Sequence, residues 1–175
     1  MLDWSNFYSV TAGASATLLG LLFVATQMHI GTLTADPGGR WNAVARSTFY
    51  NYLMLFALSL LMLFPASDSR FVGSVILAVS GVGAYRLLVA WAPVWRGVFR
   101  GRREKVIEIL WWLASPLLTY LALGDLGIEM LRQGTSPGLQ LVIGYLVVVL
   151  FGIVLRNSWR LLVEMGSEES PPKNR

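Results

Sequence analysis

Five apolar stretches, at about 7–30, 48–66, 71–95, 106–123 and 139–155, each carry at most one Asp, Glu, Lys or Arg. About twenty apolar residues rising 1.5 Å each cover the hydrocarbon core of a bilayer, and a backbone in lipid must satisfy its own hydrogen bonds, so each stretch reads as a spanning helix. The pattern predicts an all-α, polytopic integral membrane protein with about five transmembrane helices. One helical domain would occupy 1–165. The tail at 166–175, GSEESPPKNR, is polar and proline-bearing and is expected to be disordered.

Direction follows from the basic residues, since short loops rich in Lys and Arg stay on the cytoplasmic side. With the N-terminus outside, the inner segments hold Arg40 and Arg46, then Arg96, Arg100, Arg102, Arg103 and Lys105, then Arg156, Arg160, Lys173 and Arg175. The outer segments hold only Arg70 and Arg132, and Arg86 falls inside the third span. A four-span arrangement would put the basic tail opposite the basic third loop, so the balance favours five spans with the C-terminus inside. Trp4 and Tyr8 are expected at the outer boundary, and Trp41, Trp95 and Trp159 at the inner one. The first residues lack the basic start of a cleaved signal peptide, so the first span reads as retained.

Composition narrows the function classes. Hydrophobic residues make up 55% of the chain and charged residues 14%, against about 25% charged in soluble domains. The net charge of +4 sits in short clusters between apolar runs, which fits topology better than nucleic-acid recognition. There is no cysteine and one histidine, so thiol chemistry is excluded and no metal site or cofactor is expected. HExxH, GxxxxGK[ST] and GxSxG are all absent, and no pair of carboxylates falls on one buried face, so no enzyme activity is expected.

The first span carries two patterns. Ala12, Ala16 and Gly20, with Gly13 beside them, form a small-residue row that lets helix backbones approach closely, and a partner in the same chain is preferred over one in a neighbouring subunit. Thr11, Ser15, Leu22 and Thr26 form a second stripe. Its hydroxyls can line a water-filled path, or each can bond the carbonyl one turn back. The run GASATLLGLLFVA at Gly13 to Ala25 resembles the opening of a group of small bacterial multi-pass membrane proteins without an assigned function. The resemblance implies a bacterial inner-membrane location and no catalytic residue.

Arg86 is the one charge that topology leaves unexplained, because an arginine well inside a span is costly and marks function or a partner. It lies about 13 Å above Trp95 by helical rise. Glu108, on the fourth span, is the nearest acidic partner, with Tyr145, Ser115 or Gln27 as neutral alternatives. Paired, Arg86 is a structural clasp; unpaired, it faces water or an anion. Small residues Ser80, Gly81, Gly83 and Ala84 would let a helix or a water column approach beside it.

The basic loop at Arg96, Arg100, Arg102, Arg103 and Lys105 is expected to bind anionic lipid headgroups. His29 reads as an interfacial anchor, with pH sensing as the alternative. Pro116 is expected to kink the fourth helix. Asp125 and Glu129 would form a solvated acidic face just beyond it. These features lead to a homo-oligomeric, anion-tolerant channel in which Arg86, Thr11, Ser15 and Thr26 line the pathway. The alternative is a non-conducting scaffold or regulatory subunit that binds anionic lipid or a cytoplasmic partner.

Overall fold

In the computed structural model the described residues are 4–31, 40–64, 69–98, 106–134 and 136–168, excepting the side chains of 40, 93–98, 106–111 and 164–168. They form five long helices: α1 (Ser5–Met28), α2 (Arg40–Leu63), α3 (Ser69–Val98), α4 (Val106–Gln133) and α5 (Pro137–Glu168). No strand occurs among the described residues. Three helices, α1, α3 and α5, are long and apolar enough to cross a membrane on length and composition.

The helices run past the apolar runs, because a helix needs no apolar side chain once it leaves the hydrocarbon. α2 begins eight residues before the expected start of its span, so Arg40 and Arg46 are helical. α4 continues to Gln133, which puts Asp125 and Glu129 on the helix and not beyond it. α5 continues to Glu168, carrying Arg156 and Arg160 on its final turns. The expected disordered tail therefore loses residues 166–168 to helix, and the rest of it lies outside the described residues. Pro116 stands inside α4, where it removes the amide that would meet the Trp112 carbonyl, and the helix continues through it.

Buried positions recur at alternating steps of three and four, the spacing of helices packed side by side. On α5 the seam is Ile143, Val147, Leu150, Val154, Asn157 and Leu161, and on α2 it is Val44, Thr48, Asn51, Leu55 and Leu58. On α3, Ile76, Ser80, Leu87 and Ala90 repeat it, joined by Gly73 and Gly83. Helices α2, α3, α4 and α5 pack in a closed ring, each against the next and α5 back against α2. α1 lies outside this ring. It packs along α2 and touches α5 only slightly.

The arrangement accounts for the polarity of α2. It is covered by α1, α3 and α5 at once, so Ser47, Thr48, Asn51 and Ser59 are all turned to protein. Polar residues in a bilayer helix cost least on such a face. The opposite behaviour is seen on α5, where Leu141, Tyr145, Val148 and Leu155 are exposed around the apolar seam.

The closest approach is between α3 and α4. A Cβ added at Gly127 would lie 3.0 Å from the Gly73 carbonyl oxygen, and one added at Gly73 would lie 3.0 Å from that of Gly127. Ser80 sits 3.2 Å from the corresponding point on Gly124. At the start of α1, the Trp4 ring packs against Gly144 of α5 and edge-on against Phe7, with ring centroids 5.7 Å apart. Tyr8, expected at the boundary, is instead buried in the core.

Candidate functional site

On α1, the hydroxyl stripe is part of the seam with α2. Thr11 donates to the Phe7 carbonyl at 2.8 Å and Ser15 to the Thr11 carbonyl at 2.7 Å, and both side chains are buried with Leu22. Thr26 donates to the Phe23 carbonyl at 2.8 Å and is half-buried. Each hydroxyl thus returns to its own helix backbone.

The small-residue row does not make the contact expected of it. Ala12 is buried, whereas Gly13, Ala16 and Gly20 are exposed, and a Cβ at Gly13 or Gly20 would meet nothing within 4 Å. Within the chain, the close backbone approach belongs to α3 and α4. The reason is positional: α1 packs mainly on α2, and Gly13 and Gly20 look away from it.

Inside the ring, the half of the bundle that holds the start of α2 and the end of α5 carries a polar layer that is not among the expected sites. Tyr120 of α4 donates to Asn51 Oδ1 of α2 at 2.8 Å, straight across the ring. Ser158 of α5 donates to the Tyr52 hydroxyl at 3.1 Å. The Tyr120 ring reaches Asn51 by passing over Gly83, where an added Cβ would come within 2.5 Å of it. Thr48 Oγ1, Asn51 Nδ2 and the indole nitrogens of Trp91 and Trp112 are buried and meet no hydrogen-bond partner. The Arg160 guanidinium lies 5.3 Å from the centre of the Trp112 ring. A single asparagine inside an otherwise apolar run was the available signal for this layer.

Arg86 lies on the outside of the ring. Its side chain is exposed, as are Val82, Tyr85, Leu88 and Val89 around it on α3. The guanidinium carbon stands 5.4 Å from the centre of the Tyr50 ring of α2. Tyr50 was not among the expected partners. Tyr145 is exposed on α5, Gln27 is exposed on α1 and Ser115 is half-buried on α4, while the Glu108 side chain lies outside the described residues. Of the small residues near Arg86, Gly83 and Ser80 receive Tyr120 and Gly124 of α4, whereas Gly81 is exposed with nothing within 4 Å of an added Cβ.

Magnitudes show what Tyr50 supplies. An arginine at a membrane helix centre costs about 2.5–3.5 kcal/mol on insertion scales. A cation–π contact returns about 0.5–1 kcal/mol when exposed and about 2 when desolvated. The contact offsets part of the cost. One turn before Tyr50 on the same face of α2 is Arg46, whose side chain is exposed.

The remaining expected sites divide simply. Arg96 is on α3 with its side chain outside the described residues, and Arg100, Arg102, Arg103 and Lys105 fall outside them altogether. His29 closes α1, its Nδ1 3.0 Å from the Ala25 carbonyl. Asp125 is exposed, and Glu129 accepts a hydrogen bond from Gln133. No group of metal-ligating side chains occurs among the described residues.

Compared with known proteins, the chain matches no family model, no curated protein and no solved structure.

Proposed function

We propose that this chain is a scaffold or regulatory subunit of the bacterial inner membrane, without a conduction path of its own. It crosses the bilayer five times with the N-terminus outside, and its inner basic residues hold anionic lipid or a cytoplasmic partner. The observation that carries this reading is the separation of the elements a pore would need. Arg86 lies outside the ring, while Thr11 and Ser15 lie in the α1–α2 seam. The ring itself is filled by Leu55, Leu87, Trp91, Tyr120, Leu123 and Ile143, all under 3% exposed.

Purified protein in potassium chloride-loaded vesicles is expected to release no more salt than empty vesicles. Chloride flux abolished by Arg86→Ala would overturn the reading and establish a channel.

An oligomeric channel is the second reading, and one observation favours it. Gly13, Ala16 and Gly20 leave a small-residue face on α1 uncovered, the kind of surface on which transmembrane helices associate. A pathway would then run between copies, beside the exposed Arg86. Gly20→Leu, which meets nothing within the chain, is expected to dissociate such an oligomer in size-exclusion measurements and to leave a monomer unaltered.

A further inference from the structure

Arg86 sits on the lipid-facing side of α3 with apolar neighbours exposed beside it, and the Tyr50 ring covers one face of its guanidinium. The Tyr50 contact leaves part of the insertion cost unmet, and the N–H edge of the planar group remains free to bond because stacking uses only its face. Among the described residues no carboxylate pairs with it. What fits that edge is an oxyanion approaching from the lipid side.

The position of the site says which oxyanion. Tyr50 is about 15 Å and Arg46 about 9 Å from the start of α2, measured from Arg40, and both lie in the half of the bundle that ends in the basic segments. The contact between Arg86 and Tyr50 fixes the pairing of the two antiparallel helices. Arg46 therefore comes one turn inward of the stacked pair, along the same groove. Two exposed guanidinium groups at successive depths, with a phenol ring between them, make a ladder from the inner surface into the apolar region. A snorkelling arginine draws headgroup oxygens toward it, and guanidinium binds phosphate through two parallel N–H bonds.

We propose that the groove between α2 and α3, bounded by Arg46, Tyr50 and Arg86, holds the phosphate of an anionic phospholipid of the inner leaflet. Its acyl chains lie on the exposed Val82 and Tyr85 face. The site is intramembrane and separate from the basic loop at 96–105. It deepens the proposed function and rests on it for the leaflet alone.

The test uses the full chain in phosphatidylcholine vesicles carrying spin-labelled phosphatidylglycerol or spin-labelled phosphatidylcholine, with the motionally restricted fraction read by electron spin resonance. The wild type is expected to restrict phosphatidylglycerol preferentially. Arg86→Gln is expected to lower that preference about fivefold, the factor equivalent to one basic residue's ~1 kcal/mol at an anionic surface. Tyr50→Leu and Arg46→Gln should each lower it in part, and Arg132→Gln, at the far end of α4, should leave it unchanged. Wild-type preference in Arg86→Gln overturns the proposal. So does an equal loss in Arg132→Gln, which would mean that general charge attracts the lipid. If Arg86→Gln fails to insert, Tyr50→Leu and Arg46→Gln decide the matter in the same way. The preference is measured whichever way the protein inserts and whether or not it conducts. A failed lipid result and a failed scaffold reading are therefore told apart.

Discussion

Glycine at position 83 and glycine at position 20 look alike in the sequence and face different surroundings. A methyl group at Gly83 would press into the Tyr120 ring, which is held in place by its bond to Asn51. Forced overpacking of this kind costs about 1–3 kcal/mol, so Gly83→Ala should destabilise the protein by that amount in denaturant titrations in bicelles. Gly20→Ala, with open space around it, should change the same measurement by less than about 0.5 kcal/mol. Tyr120→Phe keeps the packing and removes one hydrogen bond from a buried Asn, for an expected loss of about 1–2 kcal/mol. Arg86 was legible as the unusual residue because charge inside an apolar run needs no structure to be noticed. Its contact with Tyr50 was not, since reading depth from Trp95 pointed to Glu108 on α4, whose side chain lies outside the described residues, while the ring beside the guanidinium belongs to the neighbouring α2.

For the helices, existence was legible and facing was not. Long runs without charge marked all five elements within a few residues at their apolar ends. Extensions such as 124–133 of α4 and 156–168 of α5 were missed because charged residues end a bilayer span without ending a helix. On α5 the run LVIGYLVVVLFGIVL is apolar on every side, so hydropathy cannot distinguish Val147, buried in the seam, from Val148, exposed beside it. That contrast is testable. Val147→Asn should destabilise the bundle by about 1–3 kcal/mol through an unpaired buried amide, while Val148→Ala should be nearly neutral. Within the chain the close approach through small residues is between α3 and α4, while the row on α1 is exposed but for Ala12. Gly127→Val should force α3 and α4 apart, because its side chain would meet backbone atoms of Gly73 and Leu77, which cannot swing away.

At the scale of the whole molecule, the absence of cysteine makes topology directly measurable. Single substitutions Ser136→Cys and Ser170→Cys supply one thiol each. With the N-terminus outside, a membrane-impermeant maleimide added to intact spheroplasts should label the first and reach the second only after lysis. The reverse pattern would invert the orientation. The five-helix count follows from chain length and apolar runs alone, whereas the ring of four with α1 set to one side depends on which seams interdigitate. That depends on side-chain shape, to which a count of charges is blind.

The placement of α1 has a mechanical consequence. It packs along α2 and touches α5 only slightly, with the Trp4 ring at its start lying on Gly144. Under load or thermal agitation α1 should part from the bundle before any helix of the ring does. Hydrogen exchange is expected to reach the amides of α1 while those of the ring are still protected. A neighbour that displaced α1 would uncover the seam along α2 and the Thr11 and Ser15 side chains buried there.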